Sequence, residues 1–267
     1  ILDGSSKRKL GKRKDPEADI MHWQARGYPA ESILTYLTTL ASSEYEPWRA
    51  ANQFAKLEDL ELKLSKLAMS RAPWLDEKKL NDVSRYVIAN LPQADYERML
   101  LGWLEVNDAQ LAGQFKLNTD YSAKVMSLER EGANQRKDIS KWSQARELYF
   151  YFFDDNYVAS LDGALKTELG AVDIELQKTV CQMLLSDYNP LDDQPTWLGK
   201  FRTAAANCGF APDTQAFKSE PDKYKGTLAD FAKIIRVRLS TKNRTPDLYL
   251  VMQIMGEDRV HARLNFN

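Results

Sequence analysis

Cysteine and histidine are the scarcest chemistry in this chain of 267 residues, with two of each. Cys181 and Cys208 are too few and too far apart for a disulfide framework or a zinc cluster. His22 and His261 alone exclude a histidine-rich metal site, and no metal ligand set is expected. No run reaches the ~18 apolar residues that a membrane span needs, and no signal peptide is visible. Neither a G-x-G-x-x-G turn nor a P-loop is present. A net charge of −1 provides no global basic excess, so any nucleic-acid footprint must be local. Hydrophobic residues at 43% and charged residues at 28% describe an ordinary globular chain, long enough for two or three compact modules. The expectation is a reduced, soluble, cytoplasmic protein without a membrane partner.

Positive charge is concentrated at the start. Six cations fill eight positions between Lys7 and Lys14, interrupted only by Leu10 and Gly11. Lysine offers a movable point charge and arginine a planar fork of donors, so the run suits phosphate. Gly11 lets the backbone approach an anion closely. On composition alone a solvated basic tail is the simpler reading.

Glycine and proline are sparse after residue 15, and Leu, Ala, Lys, Glu and Gln fill the windows between them, so nearly every segment reads as helix. Pro29 opens a helix with Ile33, Leu34, Leu37 and Leu40 on one face. Asp76 precedes a second, holding Leu80, Val83, Val87, Ile88 and Leu91, with Pro92 beyond its end. A long helical stretch runs from about Asp95 to Arg130, with breaks expected near Asn107-Asp108 or Gly113. Helices are expected over Tyr157 to Leu169, Asp173 to Ser186, Pro195 to Cys208, Lys225 to Leu239 and Thr245 to Met255, and from Glu257 onward. Arg236 to Ser240 alternates, which leaves a short extended piece as the other reading there. Asn189 to Pro195 is the best linker candidate. The aromatic run Tyr149 to Phe153 is assigned to core rather than to base stacking. Asp154-Asp155 and Asp192-Asp193 are assigned to caps or turns.

The order of landmarks carries a resemblance. A Lys9-Leu10-Gly11-Lys12-Arg13 core leads into Asp15-Pro16-Glu17-Ala18, then Gly27-Tyr28-Pro29-Ala30-Glu31-Ser32-Ile33-Leu34-Thr35-Tyr36-Leu37. Leu75-Asp76 and Lys79-Leu80-Asn81 follow. Arg236-Val237-Arg238-Leu239, Thr245-Pro246-Asp247-Leu248, Met255-Gly256-Glu257-Asp258-Arg259 and Arg263-Leu264 come at the far end. This resembles the C-terminal half of bacterial glutamyl-tRNA synthetases, class I enzymes whose second signature loop reads Lys-Leu-Ser-Lys-Arg. The chain begins at Ile1 and lacks the His-Ile-Gly-His type signature of that class. The resemblance therefore implies a missing Rossmann half in cis, and a fragment inactive by itself.

The fold implied is all-α: stem-contact helices behind a short extended N-terminal loop, then an α-helix cage that binds the anticodon. Related enzymes ending in β-barrels fit the helical reading worse. Three modules are expected, at 1–92 (signature loop and stem-contact helices), 93–190 and 191–267 (two anticodon-binding modules). The full-length enzyme would use ATP and Mg²⁺ to attach glutamate to tRNA(Glu), with tRNA(Gln) left open as a second substrate, and neither cofactor is expected on the fragment. Lys9, Lys12 and Arg13 fall on the nucleotide, with Lys12 catalytic because a cation placed where charge develops lowers the barrier. Gly11 departs from the family's serine. For tRNA, Arg236, Arg238, Lys242, Asn243 and Arg244 form one candidate cluster. The other runs from Arg130 through Asn134, Gln135, Arg136 and Lys137 to Lys141-Trp142, with Arg136 and Lys137 as its central cations. The alternative function is a free-standing helical RNA-binding or assembly protein without catalysis.

Overall fold

In a computed structural model of the chain, the described residues are 1–3, 8–11, 13–52, 55–67, 73–130 and 137–266. Among them there are helices and turns but no sheet; the only extended pairings are isolated bridges. Two compact units emerge, each built from two stretches of chain: Ile1–Thr119 with Arg130–Leu148, and Asp120–Glu129 with Tyr149–Asn267. These are drawn at other residues than the three modules expected from sequence.

The first unit holds α1 (Ile20–Ala25), α2 (Ala30–Ala41), α3 (Tyr45–Ala51), α4 (Glu77–Asn90), α5 (Gln93–Asn107) and α6 (Ala109–Leu117). Helix α2 starts behind Pro29, whose fixed backbone suits a helix entrance, and packs along α4. Helix α4 starts because the Asp76 carboxylate accepts the Lys79 N–H at 3.0 Å, while the Asp76 N–H donates to the Tyr36 hydroxyl at 2.7 Å. Trp23, Tyr28, Ile33, Tyr36 and Leu80 form the core between these elements, with Leu40, Leu75 and Val83 at its edge.

The Gly27-Tyr28 turn anchors the unit's two stretches to each other. Gly27 has φ +94°, and its carbonyl accepts the Trp142 N–H at 2.8 Å. The Tyr28 hydroxyl donates to Asn81 Oδ1 at 2.7 Å. Burial beside Glu77 pushes that phenol up to about 12, so it stays a donor at neutral pH. Ser84, fully buried, lies 2.5 Å from the Ser140 carbonyl oxygen and 2.9 Å from the Ser32 hydroxyl.

Of the two expected breaks in the long helical stretch, Asp108 makes one. Its carboxylate accepts the Leu111 N–H at 3.2 Å and opens α6, which runs through Gly113 without interruption. A further break falls at Asn118.

The second unit contains α7 (Thr119–Met126), whose first residue belongs to the other unit, and then α9 (Asp154–Leu169), reached through the short α8 (Ala145–Tyr149). It continues with α10 (Ile174–Leu185), α11 (Gln194–Asn207), α12 (Thr214–Ser219), α13 (Leu228–Ser240), α14 (Leu248–Met255) and α15 (Glu257–Leu264). Aspartates open most of these helices: Asp173, Asp193, Asp213 and Asp247 each accept backbone N–H groups of the first turn. Thr227 and Asp230 form a reciprocal capping box that fixes the start of α13 at Leu228 rather than Lys225.

Helix α13 is the axis of this unit. Phe231, Ile235, Val237 and Leu239 are fully buried, and Phe231 meets Phe201 and Phe210 edge-on with ring centroids 5.0 and 5.5 Å apart. The alternation at Arg236 to Ser240 thus belongs to a helix, which closes at Thr241 in the left-handed region (φ 62°).

Asn189 to Pro195, the linker candidate, is tied down inside the unit. Tyr249 donates to the Asp192 carbonyl at 3.0 Å, Gln253 to the Pro190 carbonyl at 3.0 Å, and Lys200 pairs with the Asp192 carboxylate at 2.8 Å. Tyr149 to Phe153 is core for the most part, with Tyr149, Tyr151, Phe152 and Phe153 buried. Asp193 is a cap, as expected, whereas Asp154 pairs with Arg259 and Arg263.

Candidate nucleotide loop and nucleic-acid interface

The cationic N-terminal segment is folded back and fastened. Residues 1–3 lie between two neighbours: the Asp3 N–H donates to the Arg8 carbonyl and the Leu10 N–H to the Ile1 carbonyl, at 2.8 and 3.1 Å. On the other side, the Leu2 N–H donates to the Pro73 carbonyl and the Leu75 N–H to the Leu2 carbonyl, both at 2.8 Å. Beneath lies an apolar cavity of about 340 Å³, walled by Ile1, Leu10, Trp23, Leu37 and Leu75 among others.

The loop closes on Asp15. Arg8 engages its carboxylate with both terminal nitrogens, Nη1 to Oδ2 at 2.6 Å and Nη2 to Oδ1, and the Gly11 N–H donates to Oδ2 at 2.8 Å. Asp15 is buried. The Arg8 guanidinium and then the Gly11 N–H lower its pKa to about 2. Lys9 and Arg13 remain exposed on this loop, and Lys12, the expected catalytic lysine, lies outside the described residues.

A carboxyl group with a depressed folded-state value stabilises the folded form above its ordinary value of 3.8, and that contribution disappears as pH falls towards 2. The Gly11 amide resonance is therefore expected to hold its position from pH 7 to pH 3. A midpoint near 4 would mean that Arg8 and Gly11 do not hold Asp15 in solution.

The expected tRNA-binding residues are distributed over both units. Lys137 sits in the first, its ammonium 5.1 Å from the centre of the Tyr86 ring. Arg49 lies over the Trp48 ring at 4.8 Å and reaches the same Tyr86 at 6.0 Å. Arg49, Tyr45, Tyr86 and Asn90 wall a cavity of about 740 Å³ together with acidic Glu31, Glu58 and Asp95. Sequence reading missed Arg49, although Trp48-Arg49 is an adjacent aromatic–cation pair that marks it. Arg136, with Asn134 and Gln135, lies outside the described residues. Arg130 stacks on Tyr96 at 3.7 Å and donates to the carbonyls of Ile88 and Leu91, closing the end of α4. Trp142 is buried core.

In the second unit, Lys242, Asn243 and Arg244 come together on the turn that follows α13. Lys242 lies 5.3 Å from the Phe150 ring, Asn243 donates to Glu168 at 2.7 Å, and Arg244 is exposed. Arg236 and Arg238 stand half-buried on α13 itself. Burial lowers the pKa of both, and Arg238 donates to Gln177 at 2.8 Å and stacks on Phe266 at 3.9 Å. The C-terminal end of a helix favours cations, so part of this charge also serves α13.

No family model matches the chain. Curated relatives match it nearly end to end. A glutamate–tRNA ligase of Clostridium perfringens strain 13 is 36% identical over 265 residues, covering 98% of this chain and 48% of the relative. The chain is homologous to the C-terminal half of bacterial glutamate–tRNA ligases. It thus spans about half the length of the curated relatives it matches. Enzymes of that name from Acetivibrio thermocellus and Sorangium cellulosum are 34% and 32% identical, over 98% and 97% of this chain and 47% and 45% of their own lengths.

A crystal structure of a glutamate tRNA ligase from Elizabethkingia meningosepticum, in complex with its amino acid, aligns with a TM-score of 0.59 at 14% identity. That alignment covers 99% of this chain and 49% of the other. It supports the all-α fold. Among the described residues no helix is long and apolar enough to cross a membrane.

Proposed function

We propose that this chain is the tRNA-binding part of a glutamate–tRNA ligase. Joined in cis to a Rossmann catalytic half, it would attach glutamate to tRNA(Glu) in the cytoplasm, using ATP and Mg²⁺. The end-to-end match to the C-terminal half of enzymes of that name carries the reading. The cationic loop with Lys9, Lys12 and Arg13 would serve the nucleotide, with Lys12 on the charge that develops as pyrophosphate leaves. Lys9 and Arg13 fit that role by being exposed next to a backbone N–H already committed to an anion. Lys137, with Arg49 and Tyr86 beside it, and the Lys242-Asn243-Arg244 turn are the RNA contacts that exposure and chemistry favour, with Arg136, Arg236 and Arg238 as supporting charge. The three modules 1–92, 93–190 and 191–267 describe how these roles divide along the chain. A chain holding only these parts would not aminoacylate, and tRNA(Gln) would be a second substrate only if the anticodon contacts tolerate it.

The test is a titration of the purified chain with tRNA(Glu), an anticodon mutant of it and an unrelated tRNA, at two salt concentrations. Binding that weakens with salt and drops for the anticodon mutant is the expected result. Equal, weak binding to all three would reduce the cations to a non-specific phosphate patch and end the tRNA-reading assignment.

A further inference from the structure

The Asp15 carboxylate occupies a seat made of the donors a phosphate uses. Arg8 presents its planar fork, the arrangement that recognises carboxylate and phosphate alike. The Gly11 N–H adds a backbone donor to the same oxygen that Arg8 Nη1 reaches, Oδ2, at 2.8 and 2.6 Å. Exposed Lys9 and Arg13 flank this seat with further charge. Asp15 precedes the single turn Pro16–Ala18 in the position from which an aspartate ordinarily caps a helix, yet its side chain makes no cap bond there. The carboxylate is turned into the loop instead.

We infer that Asp15 is an internal competitor for phosphate, holding Arg8 and the Gly11 N–H in a closed seat until a polyphosphate displaces it. This rests on the nucleotide reading of the loop. Two anions cannot share one fork and one N–H, because each donor hydrogen would face two acceptors and the two negative charges would repel. A phosphate that takes these same N–H groups therefore requires the carboxylate to leave. The Pro16–Ala18 turn gives it somewhere to go: at the cap position it can accept an N–H of that turn, so the released anion does not remain without a partner. The closed seat keeps the fork and the N–H aligned in the absence of ligand, and it sets a threshold concentration for phosphate.

The probe is inorganic tripolyphosphate, titrated calorimetrically into the full chain. Asp15→Asn, which keeps the shape and removes the competing charge, is expected to bind about tenfold more tightly than the unsubstituted chain, the size of one charge-assisted hydrogen-bond set. Asp19→Asn removes an exposed carboxylate nearby and is expected to change affinity less than about twofold, as a screened charge does. Adding Arg8→Met to Asp15→Asn is expected to abolish the gain. Equal or weaker binding by Asp15→Asn, or an equal gain from Asp19→Asn, overturns the competitor role while leaving a phosphate loop.

No binding by any variant overturns the competitor role together with a phosphate site on this chain by itself. An independent readout on the unsubstituted chain guards against a loop that merely loosens on substitution. Saturating tripolyphosphate is expected to move the Gly11 amide resonance, and an unmoved resonance with bound ligand places the phosphate elsewhere and sinks the inference.

Discussion

Arg263→Ala is expected to destabilise the second unit by about 3 kcal/mol, through loss of a buried cation that three elements share. The Arg263 side chain is 3% exposed. Its Nη1 donates to the carbonyls of Tyr151 and Leu239, both at 2.7 Å, and its Nη2 to Asp154 at 2.7 Å. The guanidinium also lies over the Tyr157 ring, 3.9 Å from its centre. Removing it leaves two buried carbonyls without this donor, and a void beside an aromatic face.

The ion pair itself contributes the smaller share, since Asp154 is 55% exposed and its charge is screened. Burial opposes the charge of Asp154, and the two arginines overcome it, holding its pKa below the ordinary value. Arg259→Ala removes the more exposed partner and is expected to cost under about 1 kcal/mol. Denaturant titration read by amide exchange in α13 separates the two. An Arg263→Ala chain within about 1 kcal/mol of the parent would show that water satisfies those carbonyls.

Gly27→Ala should be comparably damaging in the first unit, for a different reason. A Cβ there would sit 2.8 Å from the Ser143 backbone nitrogen and 2.9 Å from that of Trp142, with the Trp103 ring at 3.3 Å. Backbone nitrogens cannot rotate aside as a side-chain end can. The residue also has φ +94°, a conformation that costs an L residue about 1–2 kcal/mol before any clash. Relief requires 142–143 to move away, which stretches the Trp142 N–H bond to the Gly27 carbonyl. A total of about 3 kcal/mol or more is expected, with loss of exchange protection at Trp142. Full protection of that amide in Gly27→Ala would disprove the close approach.

What the sequence disclosed, and what it hid, follows from the range of each interaction. Asp76 and Asp193 mark their helices because a cap is settled within three residues. The core role of Tyr149 to Phe153 was legible because so dense an aromatic run has few other places to go. Arg8 and Asp15 are only seven positions apart, but nothing in a basic run announces which cation an aspartate will choose. Arg263 reads as the last-turn cation of a short helix, and its carbonyl partners lie 24 and 112 residues away. The contacts of Arg238 are hidden in the same way: its aromatic partner and its amide partner come from Phe266 and Gln177, which sequence spacing does not connect. For the cations proposed to contact RNA, exposure decides between a structural and a binding role, and exposure is a property of packing.

The chain crosses between the units three times, which has a consequence for synthesis. A ribosome delivers residues in order, so α7 and the rest of Asp120–Glu129 emerge before Arg130–Leu148, the stretch that completes the first unit. The Gly27 carbonyl must wait for a partner 115 positions downstream, and Ser84 waits for Ser140. The first unit therefore leaves the exit tunnel unfinished, with a piece of the second unit already trailing behind it. Closure of the two units is staggered by the path of the polypeptide, and the first cannot complete its Gly27 turn before Trp142 arrives.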